Sequence, residues 1–243
     1  MYDLPSEFPE EPGLPDVFHD LQPELLSATV RLQDYAANNF FTGSDLNLYY
    51  DPNHPLWHKR PDWFLAVGVP YLYKNRDMRL SYVTWQEAAN PYVVVELLSP
   101  GTEAEDLGQT LAKLDTPPTK WTVYEQILQI PYYVVFDRYT DRLCFFKLAA
   151  GRYQERYLSE NRLWIPELKI GLGLWQGTYK QIERLWLRWC DAEGQWLLTE
   201  AELATQRAEV ERRRANTAEA ELTALKARLR AQGINPEALS NGA

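Results

Sequence analysis

The sequence predicts a mixed α/β (α+β) core, and three observations carry that expectation. Short runs rich in β-branched and aromatic residues, Tyr92-Val93-Val94-Val95 and Tyr132-Tyr133-Val134-Val135-Phe136, sit behind prolines, as buried strands do. Between them a helical segment spans residues 120–129, so strand, helix and strand make a parallel crossover. After the second run, turn signals at Asp141 and Gly151 divide the chain into hairpins, which add antiparallel strands.

The chain has 243 residues, 45% hydrophobic and 13% aromatic, enough for a sizeable core. Its two cysteines, Cys144 and Cys190, are too few and too far apart for a disulfide framework or a zinc site, which suits a reducing cytosol. No run approaches eighteen apolar residues and the first residues lack the pattern of an export signal, so a cytoplasmic protein with no membrane partner is expected. The net charge of −9 argues against tight nonspecific binding to nucleic acid. The charge is uneven, however. Residues 1–20 hold six acids and no base, residues 199–243 hold seven of each sign, and the middle holds 21 acids against 18 bases, which leaves room for a local basic groove.

Taken in order, residues 1–23 combine acids with five prolines and read as an extended arm. Apolar spacing from Pro23 to Asn38 predicts a helix. Asp45–Tyr50 reads as a strand running into the turn Asp51-Pro52-Asn53, and Arg60–Gly68 as a second apolar strand with Asp62 at its mouth. Thr119 is placed to cap the helix over 120–129, which Pro131 ends. Strands follow at Tyr132–Asp137, Arg142–Leu148 and Arg152–Leu158, and Leu185–Trp189 with Gln195–Leu198 reads as a closing hairpin around Gly194. Thr199 and Glu202 form a capping box. Beyond it Ala204, Ala208, Glu211, Ala215, Ala218, Leu222, Leu225 and Leu229 alternate spacings of four and three, a coiled-coil seam broken once by Glu211. The expected organisation is therefore an arm (1–23), a globular domain (24–198), a coiled-coil helix (199–232) and a tail (233–243), with a homodimer as the partner that seam implies.

One residue stands out against its surroundings. Glu96 interrupts the apolar run Tyr92–Leu98, and an ionised carboxylate is almost never buried without a partner. Asp62 at the start of one strand and Lys120 at the start of the next helix are candidates to join it. Two carboxylates that could ligate Mg²⁺, with a lysine to offset charge on a phosphoryl group, are the parts that metal-dependent phosphodiester hydrolysis needs. The histidines His19, His54 and His58 have no metal-site spacing, and no P-loop, GxGxxG or GxSxG segment occurs.

At these residues the sequence resembles a known family. Pro61-Asp62, Val94-Val95-Glu96-Leu97-Leu98-Ser99-Pro100, Lys120 four before Tyr124, and Ile130–Asp137 occur in the order seen in the Uma2 family, also catalogued as DUF820, of the PD-(D/E)XK nuclease superfamily. The resemblance covers roughly residues 25–175. It implies a restriction-endonuclease-like mixed sheet flanked by helices, a DNA substrate, and Mg²⁺ or Mn²⁺ held by Asp62, Glu96 and the carbonyl of Leu97. It also implies catalytic roles for Asp62, Glu96 and Lys120. The superfamily pattern puts its lysine two residues after the acid, where this chain has Leu98; in Uma2-like chains the lysine moves to the following helix, which selects Lys120, with Lys113 as a substitute. Two functions remain open: a Mg²⁺-dependent endonuclease, or a catalytically silent nuclease scaffold that works through a dimeric coiled coil.

Overall fold

Asp16 begins the first helix of the computed structural model, which describes residues 16–99, 101–110, 116–157 and 162–233. Its carboxylate accepts from the backbone N–H of Phe18 and His19, capping α1 (Val17–Thr29). The expected arm over 1–23 is thus corrected for its last residues, and the expected helix over 23–38 lies further upstream. An N-cap aspartate outweighed the proline at 23, which α1 carries inside it and buries.

Six strands form the central sheet in the order β1 (Phe40–Ser44), β4 (Trp63–Val67), β6 (Val93–Leu97), β7 (Tyr132–Asp137), β8 (Arg142–Ala149) and β9 (Arg152–Glu155). All neighbours are antiparallel except β6 and β7, which are parallel. The crossover between those two contains α3 (Glu103–Asp106), then α4 (Lys120–Thr122), which Thr119 caps and which runs directly into a π-helix at Val123–Ile127. The expected strand over 45–50 shortens to β2 (Leu48–Tyr49), because Asp45, with a left-handed φ of 50°, ends β1 just ahead of it. β2 pairs with β3 (His58–Lys59) and β5 (Tyr82–Val83) in a small sheet, and α2 (Thr84–Glu87) follows.

Both faces of the sheet are covered at its middle strands β4, β6 and β7, which is why these are buried nearly throughout and read as largely apolar runs. Trp63, Leu65, Val93 and Val95 share one core with Leu25 and Leu26 of α1, while Phe64, Ala66 and Val94 point the other way into a core with Val123 and Tyr124. Burying each such side chain fully is worth roughly 1.5–3 kcal/mol.

A third sheet is built from β10 (Arg162–Ile165), β11 (Ile170–Tyr179) and β12 (Ile182–Cys190). Gln22 of α1 ties to β12 twice, donating to the Leu187 carbonyl at 2.9 Å and accepting from its N–H at 2.8 Å. Here the expected closing hairpin is corrected: β12 pairs along its whole length with β11, through a turn at Lys180 and Gln181. The segment after Gly194 returns only as one bridge between Trp196 and Cys190. The two neighbours do not compete, because a strand has two edges: Cys190 pairs with Gly171 of β11 on one edge and bridges Trp196 on the other, so the expected hairpin survives only as that bridge.

The chain divides into two units, one ending at Leu197 and one beginning at Leu198. The second contains α5 (Glu200–Ala231), an unbroken helix of 32 residues with no buried residue. Its capping box is formed, with Thr199 and Glu202 each satisfying the other's backbone N–H. No helix among the described residues is long and apolar enough to cross a membrane. A mixed sheet packed by helices, followed by a C-terminal helix, is consistent with the restriction-endonuclease-like fold that the resemblance implies.

Candidate active site

The register of β4 and β6 brings the first two candidates together. Trp63 faces Val95 and Phe64 faces Val94, so the next step places Asp62 opposite Glu96. The Leu97 N–H donates to Asp62 Oδ2 at 2.6 Å, and the Asp62 N–H reaches toward Glu96 Oε2 at 3.4 Å. Glu96 is wholly inaccessible to solvent. Its side chain points with Val94 into the core that holds the π-helix, because alternate residues of a strand share a face.

Lys120 and Tyr124 come down on it from the crossover. Four residues apart, they lie on one face of the helical segment. Tyr124 Oη donates to Glu96 Oε1 at 2.9 Å, and Lys120 Nζ donates to Glu96 Oε2 at 3.0 Å. The buried π-turn carries Tyr124, a local helix form often found at functional sites. The backbone N–H of Lys120 donates to Glu105 Oε1 at 3.1 Å, and that same oxygen accepts from Lys59 Nζ at 3.1 Å. The structure therefore gathers Asp62, Glu96, Leu97 and Lys120 in one place. Lys113, the substitute, lies outside the described residues.

Two further residues enter the site that the sequence reading left out. Asp106 of α3 is 1% exposed, and its Oδ1 lies 3.0 Å from Lys120 Nζ, an ion pair without hydrogen-bond alignment that leaves this oxygen incompletely satisfied. Its backbone carbonyl accepts from Tyr133 Oη at 2.9 Å, which fixes the end of α3 over β7. Among the acids Glu103, Glu105 and Asp106 the sequence offers nothing to single it out. His19 was discounted for lacking ligand spacing, yet the first turn of α1 sets its Nε2 3.2 Å from both the Leu97 carbonyl and Ser99 Oγ. The signal that could have found it is Asp16, whose N-cap role fixes where the helix begins.

The ionisation pattern follows from burial and charge. Loss of water raises Glu96 well above the usual carboxylate range; Lys120 opposes this, and Asp62 and Asp106 add to it. Burial likewise raises Asp62 against the pull of Lys120 and the Leu97 N–H. For Lys120 burial works against the charge, but Glu96, Asp106 and Asp62 overcome it and raise its pKa, so its ammonium persists. Both nitrogens of His19 face acceptors, the Leu97 carbonyl and, at 3.0 Å, Asp16 Oδ1. Nε2 also faces Ser99 Oγ, and the hydrogen bond and charge of Asp16, with the charge of Asp62, raise the imidazole pKa in spite of burial. Asp16 itself, also desolvated, is brought down to about 2 by His19 and Arg138.

Chemically, this is a largely buried, oxygen-rich cluster of three carboxylates, Asp62, Glu96 and Asp106, with one ammonium between two of them. Among the described residues no group of three or more His, Cys, Asp or Glu side chains is arranged to hold a metal ion. The donor set expected from the resemblance is smaller, two carboxylates and one backbone carbonyl. The surplus negative charge and the incompletely satisfied Asp106 oxygen are what a hard divalent cation would relieve, so the residues present fit such an ion. The model of a family described as "Uma2: Putative restriction endonuclease" matches residues 2–180. No curated protein matches the chain.

Proposed function

The chain belongs to the Uma2 family, and from that premise we propose that it is a divalent-metal-dependent endonuclease hydrolysing DNA phosphodiester bonds. The observation that carries this reading is the meeting of Glu96, Asp62 and Lys120, from three separate elements, in a largely buried cluster. Asp62, Glu96 and the Leu97 carbonyl would hold Mg²⁺ or Mn²⁺. Once bound, the ion supplies Lewis acidity that lowers the pKa of water and offsets charge on the phosphate.

The protein's own groups have distinct tasks. Tyr124 fixes one oxygen of Glu96 and Lys120 the other, so the carboxylate cannot rotate away. Because its pKa is raised, Lys120 does not serve as a base. Its ammonium instead donates to phosphoryl oxygens as their charge grows, in a place where few waters weaken the interaction. His19 Nε2, against the Leu97 carbonyl, holds it in position, and the imidazole in its charged form adds positive charge beside Asp62.

A supercoiled plasmid tests the proposal. With Mg²⁺ or Mn²⁺ the protein should convert it to nicked circles, EDTA should stop the conversion, and Glu96→Ala should abolish it while the circular dichroism spectrum is kept. Undiminished nicking by a folded Glu96→Ala protein rejects the assignment. One observation favours the silent-scaffold reading: Lys120 already bridges Glu96 and Asp106, an arrangement that compensates part of the charge without any metal. Absence of nicking with either ion, by a protein that dimerises, would select it.

A further inference from the structure

We propose that α5 is a homodimerisation element whose two copies pair antiparallel, so that the two chains enter the helix pair from opposite ends. This rests on the second unit of the chain alone and stands or falls independently of the nuclease reading.

The helix is continuous from Glu200 to Ala231 with no residue buried, so the four-and-three spacing becomes one uninterrupted stripe along its length. That stripe is uneven: Ala204, Ala208, Ala215 and Ala218 occupy the N-terminal part, and Leu222, Leu225 and Leu229 the C-terminal part. Leu222 and Leu225 are 52% and 54% exposed, an apolar expense that a solitary helix has no reason to bear. The occupant that fits this stripe is a second copy of it.

Orientation follows from volume and charge. In a parallel pair each residue meets its own counterpart. The alanine layers would then face each other, all the leucines would crowd into one end, and Glu211 would meet the partner's Glu211 in an apolar layer. In an antiparallel pair Ala204 meets the partner's Leu229, Ala208 the partner's Leu225, and Ala215 the partner's Ala218. Small faces large, which keeps the layers evenly filled. Glu211 then lies along the partner's Leu222, and its carboxylate stays with Arg214 of its own helix, 2.8 Å away.

The flanking charges do not choose between the two. Antiparallel pairing sets Arg214 against the partner's Glu221 and Arg212 against the partner's Glu219, but repeats one arginine contact at Arg207 and the partner's Arg228. A parallel pair has the same balance of attraction and repulsion. The choice therefore falls on the seam, where only the parallel form buries two like charges against each other. Each helix is entered at its N-terminal end, so antiparallel pairing puts the two entry points at opposite ends of a helix pair 32 residues long, about 48 Å at 1.5 Å per residue.

The test uses the full chain. Light scattering should give twice the chain mass for the wild type, and Leu222→Glu/Leu225→Glu should return it to the monomer, with the melting transition of the first domain unchanged because these side chains are exposed. Differently tagged Ala204→Cys and Leu229→Cys proteins are then mixed under reducing conditions and oxidised. The native Cys144 and Cys190 are buried, and oxidised wild type serves as the control. Antiparallel pairing yields mainly the mixed disulfide between the two variants. A monomeric wild type, a dimer that survives the double glutamate variant, or self-linked Ala204→Cys outnumbering the mixed species would each overturn the proposal.

Discussion

Lys120 Nζ lies 3.0 Å from Glu96 Oε2, an ion pair in which the carboxylate is fully buried and the lysine side chain is 20% exposed. Asp62 and Asp106 adjoin the pair, so carboxylates outnumber the ammonium that contacts them. The site is arranged against the stability of the empty fold, as sites built for charge commonly are.

Glu96→Gln should therefore stabilise the protein while removing nicking. The folded-state pKa of Glu96 is raised, so its ionised form opposes folding above the unfolded value of about 4.5, and protonation relieves that opposition as pH falls through the folded value. The amide keeps the shape and discards the charge. A gain on the order of 1 kcal/mol, a few degrees in Tm, is expected at pH 7 and should disappear toward pH 4. Thermal melts at the two pH values, beside plasmid nicking, check it; a destabilised Glu96→Gln at pH 7 contradicts the charge balance.

Lys120→Met acts in the opposite direction. It leaves Glu96 and Asp106 without their shared cation, and breaking a buried pair from one side costs about 3–5 kcal/mol. The raised pKa of Lys120 means that its contribution is complete below the unfolded value near 10.5, and so throughout the neutral range. Urea titrations should show the loss at pH 7 and a smaller one at pH 5, where the carboxylates left behind can take up protons.

Asp16 and His19 report on the α1 edge of the site. The Asp16 pKa of about 2 means a contribution present above 3.8 and lost as pH falls through about 2; for His19, raised above 6.5, the contribution is present below 6.5 and lost as pH rises through its folded value. Asp16→Asn keeps an N-cap side chain but removes the charge, so NMR titration should show the His19 midpoint falling toward 6.5 or below. An unmoved midpoint would mean that Asp16 does not hold the imidazolium.

Metal binding has a readout apart from turnover. If Asp62 and Glu96 hold the ion, Mn²⁺ at about 100 times its Kd should stabilise the wild type by about 2.7 kcal/mol, and Asp62→Asn should lose most of that increment. Equal Mn²⁺-induced shifts in thermal melts of the two proteins would place the ion elsewhere.

Much of the sheet could be read directly. The run Tyr132–Asp137 emerged as a strand with those bounds, because a segment buried on both faces needs apolar residues throughout and Pro131 marks its start. Glu96 drew notice for the converse reason, as a carboxylate where no carboxylate is comfortable. The long pairing of β12 with β11 could not be read, since a strand has two edges and local pattern shows only the near neighbour, the 195–198 segment, which bridges β12 at Cys190 alone.

What the sequence by itself determined is the alternation of elements, the family and the misplaced acid, all consequences of local pattern and of the cost of burying charge. Only the tertiary structure decided that Asp106 and His19 belong beside Glu96. They arrive from α3 and α1, elements outside the sheet, through chain crossings that no spacing encodes. A lone histidine and one acid among three look ordinary in a sequence; they acquire roles when packing removes water and leaves each charge to find its counterpart.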